Sequence, residues 1–157
     1  MTTSEDSKAA VMRLYQAYAS RDPGQITACL TEDVRWYAPP GNATAVALGL
    51  GRAEDAGGPP DGNILDRDAI VHFMTEDFGR LFVAEVRNDF RLMLAEGAHV
   101  VTEARLSARL ANGRTYANDY CFLYRVEDGR VAEIREYMDT RGGWAQVFGD
   151  GPAEQLV

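Results

Sequence analysis

Leu110-Ala111-Asn112-Gly113-Arg114 and Val126-Glu127-Asp128-Gly129-Arg130 decide how this chain folds, because each is a turn between strands whose side chains alternate between two faces. A one-residue change in either turn sends every paired side chain to the opposite face. Asn112-Gly113 suits a two-residue type I′ hairpin, whose central positions both need positive φ. That turn sets Ala111 opposite Arg114, Ser107 opposite Asn118, Arg105 opposite Tyr120 and Glu103 opposite Phe122. The second turn closes in either of two ways. A three-residue loop with Gly129 left-handed in a G1 bulge, the favoured reading, sets Tyr120 opposite Glu136 and Phe122 opposite Ile134. A two-residue Asp128-Gly129 loop turns Tyr137 and Asp139 inward instead.

On the favoured register Glu103, Arg105, Asn118, Tyr120 and Glu136 share one face, polar where a core is normally apolar, and form a candidate reaction site. A competing pattern runs along the same first strand. Val100, Thr102, Ala104, Leu106, Ala108 and Leu110 make an apolar stripe that can itself be the core face.

Working outward, Val11, Leu14, Tyr15 and Tyr18 recur at helical spacing, which predicts a helix over 4–21 with Ser4 and Ser7 as caps. A short helix follows Asp22-Pro23, and Val34 to Tyr37 reads as a strand ended by Pro39-Pro40. Residues 39–65 are rich in Gly, Ala and Pro and read as a long lid-like loop, with Ala45 to Leu50 able to cover a pocket. Asp66 caps a helix through Leu81 that carries Ile70, Phe73, Met74, Phe78 and Leu81 on one face. The period then changes to two, with Val86, Asn88, Phe90, Leu92 and Leu94 on one side of a half-buried strand. A short helical turn is expected near 144–148. Helices first and an antiparallel meander afterwards indicate a single α+β domain spanning 1–157.

Composition narrows the function. Acidic residues outnumber basic ones, 24 to 16, for a formal charge of -8, which gives no footprint for phosphate-backbone binding. No signal-peptide pattern or membrane span is present in the sequence, so no membrane partner and a cytoplasmic location are expected. Cys29 and Cys121 read as packed thiols, and His72 and His99 are isolated, so no metal site is expected.

The element order, together with Asn112 to Tyr116, Tyr120 and the run Asp128 to Asp139, resembles the SnoaL-like branch of the NTF2-like superfamily. The resemblance implies an α+β cone in which a curved antiparallel sheet wraps around N-terminal helices and encloses a pocket. It implies a homodimer and relatives such as polyketide cyclases, ketosteroid isomerases and limonene epoxide hydrolases. In the cyclases an acid on the last strand does the proton transfer, and Glu136 matches that position. The epoxide hydrolases place an Arg and an acid two apart on the first hairpin strand. Alignment from Gly113 puts Glu103 and Arg105 there in exchanged order, a rearranged acid/Arg site.

A carboxylate among bulky apolar groups loses hydration, which raises its pKa and suits it to proton transfer near neutral pH. Glu136 is the expected acid/base, with Asp139 in reserve. Arg105, Tyr120 and Glu103 would complete the catalytic set, Arg105 stabilising a developing oxyanion. Asn118, Phe122, Trp36, Tyr15, Tyr18 and Met138 would line the pocket and bind substrate. The expected function is cofactor-free acid/base chemistry on a hydrophobic, oxygenated small molecule of polyketide or terpenoid type, as a cyclase, isomerase or dehydratase (isomerase or lyase class). The alternatives are a noncatalytic binding or dimerisation module, and epoxide hydrolysis.

Overall fold

In the computed structural model, which describes residues 2–50 and 63–149, helices line one face of a single six-stranded sheet. The elements are α1 (Ser4–Ser20), α2 (Pro23–Ala28), β1 (Leu30–Ala38), α3 (Ala43–Leu48), β2 (Asn63–Leu65), α4 (Arg67–His72), α5 (Phe78–Leu81), β3 (Phe82–Glu96), β4 (His99–Leu110), β5 (Thr115–Glu127), β6 (Arg130–Met138) and α6 (Thr140–Phe148). The sheet order is β2-β1-β6-β5-β4-β3. It is curved, unclosed and mostly antiparallel, as expected, with one parallel pair, β1 beside β6. Crossing from β1 to β6 takes most of the chain, so no local turn signal records that pairing.

Local chemistry sets the helix ends. Thr3, rather than Ser4 or Ser7, caps α1 in a reciprocal capping box with Asp6. Ser4 and Ser7 instead tie α1 to the β3–β4 turn through Gly97. Ala10, Val11, Leu14 and Ala17 form the buried stripe of α1 that packs across β3 to β6. The stretch read as loop contains α3, capped by the Asn42 side chain, and the short strand β2. Residues 51–62, which include the Gly57 to Pro60 run, lie outside the described residues.

The single helix expected from Asp66 to Leu81 is interrupted by a π-helical turn at Phe73–Asp77. Its i→i−5 bond, from the Phe78 N–H to the Phe73 carbonyl, sets the Phe78 and Phe73 rings edge to face with centroids 6.0 Å apart. Both rings thereby face the same cavity.

Both hairpin turns differ from expectation, with opposite consequences. The Leu110 N–H donates to the Arg114 carbonyl at 2.8 Å, so the first loop holds three residues, Ala111-Asn112-Gly113, with Gly113 at φ 83°. Arg105 therefore pairs with Asp119, and Glu103 with Cys121, on the outer face. The apolar stripe from Val100 to Leu110 takes the inner face, opposite Asn118, Tyr120 and Phe122. The second loop is the two-residue one: Glu127 pairs with Arg130, and Asp128 and Gly129 sit at φ 46° and 74°, a type I′ pair. Alone it would turn Tyr137 inward. A β-bulge follows at once, between the Val126–Val131 and Arg125–Glu133 pairs, and leaves Ala132 unpaired. The extra residue restores the parity, so Phe122 faces Glu136 and Tyr124 faces Ile134, while Tyr137 is half exposed.

A bulge near Arg91 likewise splits the stripe predicted on β3. Asn88 and Phe90 keep the cavity side, opposite Leu106 and Ala104, but are exposed there, so β3 is less buried than its period suggests, and Leu92 and Leu94 turn outward opposite Glu103 and Val101.

Gly113 separates conformational cost from crowding, because a Cβ built there meets nothing within 4 Å. Gly113→Ala should cost about 1 kcal/mol in urea unfolding through its positive φ alone, and Gly113→Asn distinctly less. Equal costs would show that the left-handed turn does not govern the hairpin.

Candidate functional site

Between the inner face of the sheet and the helices lies a cavity of about 460 Å³. Its floor comes from Trp36 on β1, Tyr120, Phe122 and Tyr124 on β5, and Ile134 and Glu136 on β6. Tyr15 and Tyr18 of α1, Phe73, Met74 and Phe78 of the interrupted helix, and Asn42, Thr44 and Ala45 with Leu50 close the other sides. Alternation explains the floor: Phe122 and Glu136 are a facing pair, and the Ala132 bulge is what brings the carboxylate in.

Glu136 is 7% exposed. Trp36 Nε1 donates to its Oε2 at 2.9 Å, and Asn42 Nδ2 donates to its Oε1 at 3.2 Å. Both donors are neutral, so hydrogen bonds stabilise the charge without a countercharge. Loss of hydration outweighs them and pushes the carboxyl up from 4.5 to about 7. At neutral pH the group is therefore poised between acid and base.

Four tyrosine hydroxyls extend this polar floor. Tyr120 OH bonds Tyr116 OH at 2.6 Å, and Asn118 Nδ2 donates to Tyr116 OH at 3.1 Å. Tyr15 and Tyr124 share a short hydroxyl bond, with Thr102 Oγ1 3.3 Å from Tyr15 OH. Burial holds Tyr120 and Tyr124 well above the ordinary phenol value, so both remain neutral.

The sequence-derived set divides cleanly. Glu136, Tyr120, Phe122, Trp36, Tyr15 and Tyr18 all line the cavity. Asn118 is inward and buried but lies beyond the wall, where it also donates to the Asp139 carbonyl at 3.0 Å. Met138 packs against the core opposite Tyr120 without lining the cavity. Asp139 does not face inward either; its carboxylate caps α6 by accepting from the Gly142 N–H. Glu103 and Arg105 are corrections: the three-residue first loop puts both outside, where Arg105 bonds Asp119 at 2.8 Å and Arg91 bridges Glu103 and Asp119. The rearranged acid/Arg site of the epoxide-hydrolase alternative is accordingly not assembled.

Asn42 was missed, although Asn after Gly41 and before an Ala-rich apolar run is a helix-start signal. Phe73, Met74 and Phe78 were legible as a helix face but not as cavity wall. Among the described residues no cluster of His, Cys, Asp and Glu could hold a metal ion, and no helix is long and apolar enough to cross a membrane.

Two measurements test these placements. Because the folded value of Glu136 lies above the unfolded one, the folded protein keeps a proton that the unfolded chain releases between pH 4.5 and about 7. The wild type should thus lose about 3 kcal/mol of stability over that window relative to Glu136→Gln, and no more above it. Parallel pH profiles of the two proteins would place the carboxyl in water instead. Arg105→Ala, removing a partly exposed outer-face pair, should cost under about 1 kcal/mol and leave ligand binding in the cavity unchanged.

Known proteins support this architecture. The sequence model of the SnoaL-like domain matches residues 11–134. An NTF2-like protein of unknown function from Burkholderia pseudomallei is 22% identical with a TM-score of 0.70, over 91% of this chain and 98% of that one. IdmH from Streptomyces antibioticus, a candidate polyketide cyclase, is 21% identical with a TM-score of 0.67, over 90% and 97%. An LEH-like epoxide hydrolase from M. tuberculosis is 16% identical with a TM-score of 0.64, over 92% and 90%. At these identities the likeness shows the fold alone, and no curated protein matches the sequence. With the family model spanning most of the chain and the same cone in solved structures, this chain belongs to the SnoaL-like family of the NTF2-like fold.

Proposed function

We propose that the protein is a cofactor-independent enzyme in which Glu136 transfers a proton on a hydrophobic, oxygenated small molecule of polyketide or terpenoid type. The observation that carries this reading is a buried carboxyl with neutral donors only, at the wall of an apolar cavity, with its pKa raised to about 7. A base of that strength removes a proton next to a carbonyl and, as the acid so formed, returns it elsewhere on the carbon frame. Return of the proton gives an isomerase; attack of the carbanion on a second carbonyl, or loss of a hydroxyl, gives a cyclase or dehydratase.

The oxyanion needs a donor, and with Arg105 outside that donor is Tyr120. Asn118 occupies an acceptor site on Tyr116 and favours a Tyr116 proton directed at Tyr120. The Tyr120 proton is then free to point into the cavity, where a substrate oxygen would receive it. Asn118 acts on this reading as a positioning residue. The exposed outer-face residues Leu92, Leu94, Leu123 and Tyr137 support a homodimer built on the sheet.

Exchange of the α-protons of 1-tetralone in D2O, followed by NMR, tests the base directly. The wild type should accelerate exchange with a rate that rises to a plateau above about pH 7, because the ionised form is the active one. Glu136→Gln should lose about 100-fold or more and still bind the ketone. Binding without acceleration by the wild type would instead support a noncatalytic small-molecule carrier.

A further inference from the structure

Among the described residues only two cavity-lining side chains are of the Asp, Glu, Lys or Arg type, Glu136 in the wall and Arg21 at the rim. Arg21 has two unusual properties and open donors. It ends α1 with φ 54° and ψ 23°, the left-handed conformation that glycine or asparagine normally takes at a helix C-terminus. Its guanidinium lies over Gly79 of α5, where a Cβ would sit 2.8 Å from Nη1 and 3.3 Å from Nη2. Like Arg13, Arg35, Arg67 and Arg114, it makes no ion pair among the described residues, whereas Arg80, Arg87, Arg91, Arg105, Arg109, Arg125 and Arg135 do, so its guanidinium donors are open.

Each property has a bland explanation alone, but together they describe a placed cation. A long flexible side chain at a strained backbone position gains nothing for the helix end that glycine would not give better. The glycine beneath it leaves room for the guanidinium to lie against the interrupted helix beside the cavity. Tyr18, one turn earlier on α1, lines the same side. A planar guanidinium with open donors at an apolar mouth is suited to the two oxygens of a carboxylate.

We propose that Arg21 is an anion-binding residue at the cavity mouth, and that the ligand is an apolar molecule carrying a carboxylate. The carboxylate stays at the solvated rim, the apolar body fills the cavity and the end remote from the carboxylate reaches Glu136. This orientation also keeps the ligand's own charge away from the buried acid. The assignment deepens the proposed function by naming the substrate class, and it depends only on the cavity's taking a ligand.

Paired probes test it: 2-naphthylacetate and its neutral isostere 2-naphthylacetamide, titrated by calorimetry into the protein at pH 8. The wild type should prefer the carboxylate by about tenfold at low salt, and less as salt rises, since the rim is solvated. Arg21→Gln should bring the two affinities within about twofold of each other, and Arg21→Lys should retain part of the difference. Gly79→Ala keeps Arg21 and displaces only the end of a flexible side chain, so it should fold with an unchanged or higher Tm while the preference falls. Glu136→Gln should leave the preference intact, which separates this assignment from the general-base reading. Equal affinities in the wild type, or a preference that survives Arg21→Gln or vanishes only in Glu136→Gln, would overturn it.

Discussion

The parity of the β5–β6 ladder is the constraint on which the site depends. A type I′ turn at Asp128-Gly129 fixes one register, and the unpaired Ala132 shifts it by one residue before the cavity begins. Without the shift, Tyr137 and Arg135 would face the helices and Glu136 would face water. Val131 and Ala132 are both buried, as a bulge requires and simple alternation forbids. The bulge thus accommodates two demands: the tightest available turn, and an acid on the inner face.

Placing that acid inside is unfavourable in itself, and the fold tolerates it through what surrounds it. Trp36 arrives from β1, whose parallel pairing with β6 sets Trp36 beside Ile134, near enough for its indole N–H to reach Glu136. Asn42 uses both ends of its amide: its oxygen caps α3 and its nitrogen holds Glu136. Position of the carboxylate and order of the helix over it are therefore coupled through one side chain.

Much of this was legible in the sequence, and the failures share a cause. The helix faces and the strand order within the meander follow from period and composition, whereas the inward position of Glu136 rests on a chosen turn and on the family resemblance. The Asn112-Gly113 dipeptide does not distinguish a two-residue loop from a three-residue one, since both need glycine left-handed at its end. The apolar stripe from Val100 to Leu110 did distinguish them, because burying it stabilises far more than a preferred turn type does. Glu136 was placed inside by assuming a wider second loop, whereas a narrower loop and a bulge produce the same parity. The adjacent apolar pair Val131-Ala132 was the available signal. Burial decided both registers, and turn chemistry then accommodated it.

The register of the first hairpin decides more than location. Had Arg105 shared the inner face, its guanidinium would have stood close to Glu136, and a cation beside a desolvated carboxylate holds it ionised and far below neutrality. The pair would have been a buried salt bridge, with the acid unable to accept or release a proton in the neutral range. With Arg105 bound to Asp119 on the outer face, Glu136 has only neutral donors, which offset its desolvation in part. One residue in the Ala111-Asn112-Gly113 loop therefore separates an inert ion pair from a carboxyl that can exchange protons at neutral pH.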